Sequence, residues 1–300
     1  MTDMRDAFFA SLYDIIKEDK NVLLLTADHG AFGVRKIQDD FPNQYLNVGI
    51  AEQNVMSIAS GLTLSGKIIY VYGINNFITL RCLEQIVVDI ASMNLHVNIV
   101  GVGSGFTYCT DGFTHHGIQD VAVMSTIPNF KIYNCSDAVN TAAFAKLGYY
   151  EQGPKYIRIE KGTFPELYDS KRSLKSYSGG IEIIRKGEKT VILTSGRMVH
   201  RAVAASDELL EEGKYVGVLD IYRLKPFPTT LLIDFIRSSD KLIVLEDNVS
   251  AGGLGDKVCS ALIDNRVYIP TIKWNAGDQF CFEYSTDREW VEEQMIKERL

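Results

Sequence analysis

The sequence predicts an α/β protein of two domains, each with a mostly parallel sheet flanked by helices. Short β-branched runs alternate along the chain with segments whose apolar residues recur at helical spacing, which is the pattern of parallel strands joined by crossover helices. One stretch, residues 164–180, breaks this alternation because it contains a proline, several charges and a final pair of glycines. We therefore expect domains at residues 1–163 and 181–300, joined by a linker at 164–180.

The first predicted domain begins with a helix and continues with strands. Apolar residues between Phe8 and Ile16 recur at helical spacing, and Asp3 or Asp6 precedes them as a candidate cap. A short strand ending at Val48 leads into an apolar helix at 55–64. The other elements are strands at 22–25, 68–72, 97–102, 130–133 and 156–159 and helical stretches around 77–93 and 137–149.

The second predicted domain repeats the alternation after the linker, and a terminal helix is expected in the tail that follows Gly277. Its predicted elements are strands at 190–194, 215–219, 241–245 and 267–272 and helices near 197–212, 229–239 and 255–264.

Composition excludes several classes of function. The 300 residues are 46% hydrophobic, which is enough for two packed cores, and the net charge of −7 argues against non-specific nucleic-acid binding. No run approaches the roughly 18 apolar residues of a membrane span, and no basic region followed by an apolar run opens the chain. The five cysteines form no Cys-x-x-Cys pair, so neither a disulfide framework nor a zinc knuckle is expected. We expect a cytoplasmic protein that binds neither nucleic acid nor membrane.

The most informative motif is Gly-Ile-Ala-Glu-Gln-Asn at residues 49–54, which places Glu52 where a strand turns into a helix. Taken alone, Glu52 is a first-turn glutamate that stabilises the helix dipole by about 0.3–1 kcal/mol. A second polar motif, Thr-Asp-Gly-Phe-Thr-His-His-Gly, follows at residues 110–117. It lies after a predicted strand, where loops of parallel sheets bind small molecules.

Together the two motifs resemble the pyrimidine-binding half of transketolase and related thiamin-diphosphate enzymes. The resemblance continues through residues 59–62 and 83–86, and residues 192–196 and 218–226 resemble the family's C-terminal domain. It implies that Glu52 hydrogen-bonds N1′ of the cofactor's aminopyrimidine. A buried carboxylate there favours the imino tautomer, whose nitrogen is basic enough to act on the neighbouring C2 proton.

The resemblance also assigns roles to other residues. It implies that Phe77 stacks on the pyrimidine, although the aromatic register is shifted by about one residue, and that Asp28 lies near the thiazolium. Substrate contacts are implied for Asp111, His115 and His116, with His115 also moving a proton at the substrate carbonyl. The cationic residues expected at the pocket mouth, for a sugar phosphate, are Arg81, Arg158 and Lys161.

Two rival interpretations of these motifs are weaker. A zinc site built from Cys109, Asp111, His115 and His116 lacks a flanking ligand pair. The glycines at 101–105 do not open directly into a helix as a dinucleotide fingerprint requires, and those at 252–255 lack the lysine of a phosphate-binding P-loop.

The family's Gly-Asp-Gly motif, which binds Mg²⁺ and the diphosphate, has no counterpart in this sequence. The resemblance therefore implies a split enzyme, in which this chain is the C-terminal subunit and an N-terminal subunit supplies the metal and diphosphate ligands, with two copies of each. We expect no metal ligands here. Alternatives that stay open are a subunit of the deoxyxylulose-phosphate synthase type or the 2-oxo-acid dehydrogenase beta type, and a non-catalytic regulatory homologue.

Overall fold

A computed structural model describes residues 2–282 and 284–296 of the chain. Within these residues the strands form one sheet of seven strands and one of five. The strands are β1 (Val22–Thr26), β2 (Tyr45–Asn47), β3 (Ile68–Ile74), β4 (Val97–Val102), β5 (Lys131–Asn134), β6 (Lys155–Ile159), β7 (Glu182–Arg185), β8 (Thr190–Thr194), β9 (Val216–Asp220), β10 (Arg223–Lys225), β11 (Lys241–Leu245) and β12 (Thr271–Trp274).

Helices cover both sheets. Most begin and end close to the predicted bounds, and the terminal helix expected after Gly277 is present. The helices are α1 (Met4–Glu18), α2 (Phe32–Asp40), α3 (Glu52–Leu64), α4 (Asn75–Ile78), α5 (Leu83–Gln85), α6 (Asp120–Ser125), α7 (Ala138–Tyr150), α8 (Met198–Glu211), α9 (Thr229–Ile236), α10 (Leu254–Asp264) and α11 (Arg288–Met295). None of the helices in the described ranges is long and apolar enough to cross a membrane.

The seven-stranded sheet has the order β10-β5-β6-β4-β3-β1-β2. Every neighbouring pair is parallel except β10 and β5. The central strand β4 is buried along its whole length, as expected for a strand covered by helices on both faces. Because the strands are parallel, the carboxyl ends of β1, β3, β4 and β6 meet at one edge of the sheet.

The five-stranded sheet has the order β12-β11-β8-β9-β7, with only the edge strand β7 antiparallel to its neighbour. The confirmed fold class is therefore two mostly parallel sheets flanked by helices. The two sheets are not independent, because β10 follows β9 in the chain yet pairs with β5 of the seven-stranded sheet. One apolar core also includes residues of both halves, such as Ile132 and Leu232.

Two details differ from the sequence prediction. The single helix expected around 77–93 is two short helices followed by a π-helical turn at Ile86–Ala91. The Thr79 hydroxyl donates to the Asn75 carbonyl where the first of these ends. The strand expected from 267 begins at Thr271, after Pro270, which has no backbone N–H to donate to a ladder.

The segment 164–180 is anchored to both halves of the chain by two buried tyrosines, although many of its other residues are exposed. It contains a short 3₁₀-helix at Leu174–Gly179, and the rings of Tyr168 and Tyr177 are buried against Phe144 and Tyr222 of the two halves. The domain bounds of 1–163 and 181–300 remain a prediction.

Candidate active site

The candidate site lies at the carboxyl-end edge of the seven-stranded sheet, where Glu52 begins α3. The chain enters this helix from β2 through Gly49, whose φ of +74° is a conformation that glycine adopts without strain. The Glu52 side chain points into the protein, and only 6% of the residue is exposed. A carboxylate with so little access to water needs a charged or hydrogen-bonding partner.

That partner is Arg81, from the irregular segment between α4 and α5. Its Nη1 lies 2.9 Å from Glu52 Oε2, and its Cζ lies 4.3 Å from the centre of the Phe77 ring. The guanidinium is thus a planar cation that contacts a carboxylate while covering an aromatic face. Because the Arg81 side chain is 44% exposed, it can leave this position without unfolding its surroundings.

His115 reaches the same place from the loop that follows β4. Its ring lies edge-on to Phe77, with the centroids 4.9 Å apart, and 6.2 Å from the ring of Tyr108. The Thr114 hydroxyl and His115 Nδ1 are 3.0 Å apart. The structure therefore brings Glu52, Phe77, Arg81 and His115 together, with Arg81 on the Glu52 carboxylate and the Phe77 ring, and the roles expected for these residues remain predictions.

Asp111 and Asp28 are the exposed carboxylates predicted near this site. Asp111 lies in the loop with His115 and accepts a hydrogen bond from the Thr110 hydroxyl at 3.2 Å. Asp28 follows β1 at the same edge of the sheet, with a left-handed φ of +54°, and its backbone N–H donates to Asn47. Both carboxylates are open to a ligand.

His116 is placed differently from His115. Its ring is fully buried beside Phe106, and neither ring nitrogen has a hydrogen-bond partner among the described residues. Burial, and then the neighbouring His115, lower the pKa of His116 to about 4, so the ring is neutral at physiological pH. A ring with no exposed surface cannot touch a sugar in this loop conformation, which corrects the expected substrate contact.

Arg158 is also corrected, because it does not lie at a pocket mouth. It is fully buried, with Nε 2.8 Å from Asp120 Oδ2 and Nη2 3.1 Å from Asp247 Oδ1. Burial acts to lower the pKa of Arg158, but the two carboxylates outweigh it and raise the pKa above its usual value. Arg158 also donates to the Gly117 carbonyl at 2.7 Å. It joins the two halves of the chain and holds one end of the loop that carries His115.

Lys161 is exposed, as expected, and lies beside a cation that the sequence analysis missed. Asp3 pairs with Thr163 and the Met4 N–H donates to Gly162, so the start of α1 is tied to the segment after β6. This places Arg5 in the same neighbourhood as Lys161. Nothing in the local sequence around Arg5 indicates this, because the two cations are far apart in the chain.

The second missed residue is His29, which directly follows Asp28. Its ring lies 5.0 Å from that of Tyr72, and its Nε2 has no partner in the described part of the chain. Burial lowers the pKa of His29 to about 4, and the nearby charges of Arg5 and Lys161 act in the same direction. Two cations therefore lie near this ring, and one of them, Arg5, is itself paired with Asp3, with Nε 3.3 Å from Oδ1. The rule that ligands bind at the ends of parallel strands could have found His29.

The described residues contain no group of three or more His, Cys, Asp or Glu side chains that could hold a metal ion. The zinc interpretation of the loop therefore gains no support from the geometry.

Two family models match most of the chain. Residues 1–166 match the pyrimidine binding domain of transketolase, and residues 179–273 match the transketolase C-terminal domain. The chain belongs to the transketolase family. The two matched ranges agree with the two-sheet architecture.

Several relatives of this transketolase-family chain are split into subunits. It is 31% identical to one subunit of the apulose-4-phosphate transketolase of Phocaeicola vulgatus, over 91% of this chain and 87% of the relative. It is 28% identical to a 6-deoxy-6-sulfo-D-fructose transketolase subunit of a Clostridium species, over 93% and 85%. A solved split-gene transketolase, an inactive beta4 tetramer, superimposes with a TM-score of 0.88 at 28% identity, covering 98% of this chain and 94% of that one.

The family also includes a relative of a different activity. The 1-deoxy-D-xylulose-5-phosphate synthase of Aliivibrio salmonicida is 31% identical over 95% of this chain, which spans only 45% of that relative.

Proposed function

We propose that the protein is the pyrimidine-binding and C-terminal subunit of a two-chain, thiamin-diphosphate-dependent transketolase. The enzyme would transfer a two-carbon ketol unit between sugar phosphates or related sugars. The observation that carries this proposal is the contact set of Arg81, in which a planar cation lies against both the Glu52 carboxylate and the Phe77 ring face.

The residues present fit the aminopyrimidine of thiamin diphosphate. Such a ring needs an aromatic face to stack on and a carboxylate beside its ring nitrogen, and Phe77 and Glu52 offer both within the reach of one planar group. When bound, the cofactor supplies a carbanion at C2 of its thiazolium, which adds to a substrate carbonyl. Glu52 would hold the proton at N1′, and Arg81 would have to leave.

Other residues of the chain act on the substrate in this proposal. His115, beside Phe77, would donate a proton at the carbonyl oxygen, and Asp111 would accept hydrogen bonds from sugar hydroxyls. Lys161 and Arg5, next to the partly buried His29, would bind the phosphate or another terminal anion. Asp28 would lie near the thiazolium. The buried ring of His116 would support the conformation of the loop by packing against Phe106.

The partner is an N-terminal subunit that carries the diphosphate-binding domain and the Mg²⁺ ligands. In support, the described residues hold no cluster of three or more acidic, histidine or cysteine side chains for a metal, and similar proteins are named as transketolase subunits. We propose an α2β2 heterotetramer in the cytoplasm.

The test is reconstitution with that companion subunit. The two chains, Mg²⁺ and thiamin diphosphate are mixed with a panel of ketose phosphate donors and aldose acceptors, including apulose 4-phosphate and a sulfonated ketose. Ketol transfer that requires all components is expected. Binding of both chains without any transfer across the panel would favour a regulatory homologue.

The synthase type is the second candidate, because one such relative is 31% identical over 95% of this chain. It differs in the donor, since a synthase of this kind takes pyruvate and releases carbon dioxide. The same reconstituted enzyme is therefore offered pyruvate with glyceraldehyde 3-phosphate. Release of carbon dioxide in that assay, without transfer from ketose phosphates, would replace the transketolase proposal.

A further inference from the structure

The C-terminal segment of the chain packs directly on the loop that carries Asp111 and His115. This segment, residues 276–296 without the undescribed residue 283, has no role in the chemistry proposed above. Its side chains share an apolar cluster with the loop. The loop contributes Phe106, Cys109 and Ile118, and the segment contributes Ala276, Cys281, Val291 and Met295.

A buried arginine connects the two parts by charge as well. Arg288, the first residue of α11, has Nη1 2.8 Å from Glu160 Oε2, and its Nη2 donates to the Ser104 carbonyl at 3.1 Å. Its Nε donates to Glu292 at 2.8 Å. Each of the three guanidinium nitrogens therefore has a partner, and only 15% of the side chain is exposed. Because the guanidinium is planar and rigid, it holds its partners in a defined orientation as well as at a defined distance.

Glu160 transmits this contact to the loop. It is buried at the end of β6, where it accepts hydrogen bonds from the Ser104 hydroxyl at 2.7 Å and the Thr107 hydroxyl at 2.5 Å. It also accepts from the backbone N–H of Lys161 at 2.7 Å. Burial acts to raise the pKa of Glu160, but Arg288 and the hydroxyl donors outweigh burial and lower the pKa below its usual value. The group is therefore ionised at neutral pH.

Helix α11 is also fixed to the second half of the chain. Glu292, fully buried, pairs with Arg197 at the start of α8 and with Arg201 within that helix at 3.4 Å. Arg201 donates to Glu292 Oε2 from α8, whereas Arg288 donates to the other carboxylate oxygen, Oε1. Arg288 and Glu292 are four residues apart and lie on the same face of α11, so this face contacts Glu160 through Arg288 and α8 through Glu292.

The ion pair lies at the base of the loop. Gly105 and Gly117 exchange two backbone hydrogen bonds, of 2.9 and 2.8 Å, which close the base, and Ser104 and Thr107 adjoin it. Residues 106–116 extend from there and carry Asp111 and His115. We propose that Arg288 is a positioning residue that braces this loop through Glu160 and so sets where Asp111 and His115 meet the substrate; its catalytic consequence rests on the proposed function.

In the outer part of the loop, Asn76 donates to the Thr114 and His116 carbonyls. The Arg288–Glu160 pair holds the base from which that part extends. Reacting groups must be held within a fraction of an ångström, and a displacement of about 1 Å can lower a rate about a hundredfold. Glu52 lies on α3, which Arg288 does not contact, so the brace affects substrate contacts and not the cofactor carboxylate.

The first experiment is hydrogen exchange on the full chain by mass spectrometry. Arg288→Gln is expected to speed exchange in peptides covering 103–117 by about tenfold, since a hydrogen bond to a charged group is lost at the loop base. The matched control is Arg201→Gln, which removes one donor to Glu292 but leaves the Arg288–Glu160 pair in place, and it should leave those peptides unchanged. Equal acceleration in both variants, or none in Arg288→Gln, would overturn the brace.

Thr107→Val tests the same link without removing a charge. Valine has nearly the shape of threonine but no hydroxyl for Glu160, so the fold is retained while the loop contact is lost. Faster exchange at 103–117 is expected, with a circular-dichroism spectrum that matches the original chain and a modest fall in melting temperature. Protection equal to that of the original chain would contradict the proposed path through Glu160, whether or not Arg288→Gln folds.

The second experiment uses the reconstituted two-chain enzyme. Arg288→Gln is expected to raise the KM for sugar substrates about tenfold while thiamin diphosphate binds within twofold of its original affinity, and Arg288→Lys should restore part of the loss. A merely structural role would lower stability without this separation of KM from cofactor affinity. If the original pair of chains binds cofactor but transfers no ketol unit, the proposed function fails, whereas the exchange experiment still decides the brace.

Discussion

Arg81 lies on Glu52: its Nη1 is 2.9 Å from Glu52 Oε2 while its guanidinium covers the ring of Phe77. A ligand that uses the same carboxylate and the same ring face must displace this side chain. Arg81→Ala is therefore expected to tighten thiamin diphosphate binding about five- to tenfold, because a partly exposed ion pair and cation–π contact of about 1 kcal/mol no longer compete. Calorimetric titration of the two-chain complex with thiamin diphosphate and Mg²⁺ measures the change.

The matched control for this prediction is Arg185→Ala. Arg185 is also 44% exposed and is paired with an acidic residue, Asp207, but it lies in the second sheet. Its substitution should leave cofactor affinity unchanged. Weaker cofactor binding in Arg81→Ala would show instead that Arg81 stays in place and assists the bound cofactor.

Glu52→Gln should abolish ketol transfer while the fold is retained. Glutamine keeps the size of the side chain but cannot favour the protonated pyrimidine ring, so removal of the C2 proton is expected to slow by at least a hundredfold. Hydrogen–deuterium exchange at C2 of the cofactor, followed by NMR in the two-chain complex, measures this step directly. Near-normal exchange, with circular dichroism matching the original chain, would contradict the role of Glu52.

The chain without its partner is expected to bind thiamin diphosphate weakly and to show no turnover. The described residues offer no cluster of metal ligands, and Arg81 already occupies Glu52. Titration of the isolated chain with cofactor and Mg²⁺, followed by addition of the N-terminal subunit, compares the two states in one sample. Robust ketol transfer by the isolated chain would contradict the split-enzyme proposal.

Arg158→Met should destabilise the protein strongly. The substitution leaves the buried carboxylates Asp120 and Asp247 without their cation, and breaking a buried pair in this way lowers stability by about 3–5 kcal/mol. Urea unfolding measures the loss, with Arg185→Ala as an exposed ion-pair control expected to change stability by less than about 1 kcal/mol. A stable variant whose only defect is a raised KM for sugar phosphates would restore the substrate role predicted from the sequence.

Stability should fall as the pH rises toward neutrality because of Asp220. Burial raises its pKa from the ordinary 3.8 to about 7, outweighing the opposing hydrogen bonds from Ser136 and Tyr168. The folded state therefore holds a proton that the unfolded state releases, so this contribution is complete below about pH 4 and is lost as the pH rises through 7.

Asp220→Asn removes that titration without removing bulk. The difference in unfolding free energy between the original chain and this variant should decrease by roughly 3 kcal/mol between pH 4.5 and pH 7.5. Denaturant unfolding at a series of pH values measures it. A difference that does not change with pH would mean that the folded carboxyl titrates at its ordinary value.

Much of the fold could be predicted because buried parallel strands are continuous apolar runs that stand out between amphipathic helices. The elements that were missed include β7 and β10, which are short and begin or end with charged residues. Their stability comes from pairing with β9 and β5, and a local pattern does not contain those partners.

In the candidate site, too, residues in local motifs could be predicted and residues that depend on remote partners could not. Glu52, Phe77 and His115 follow strands or start helices in recognisable motifs, so their meeting at one sheet edge could be expected. Arg158 could not be placed correctly, because its position at a strand end does not reveal that Asp120 and Asp247, remote in the chain, face it. Arg5 was missed because only the pairing of Asp3 with Thr163, which are remote in the chain, brings it near Lys161.

The antiparallel strand β10 has a consequence for anyone who exchanges parts between relatives. It belongs to the second half by sequence but completes the seven-stranded sheet of the first. In a chimera joined in the segment 164–180, β10 from one parent would pair with β5 from the other, and α11 from one parent would contact Glu160 from the other. Recombination between homologues should succeed only when β5 and Glu160 are inherited together with their contacts from the same parent.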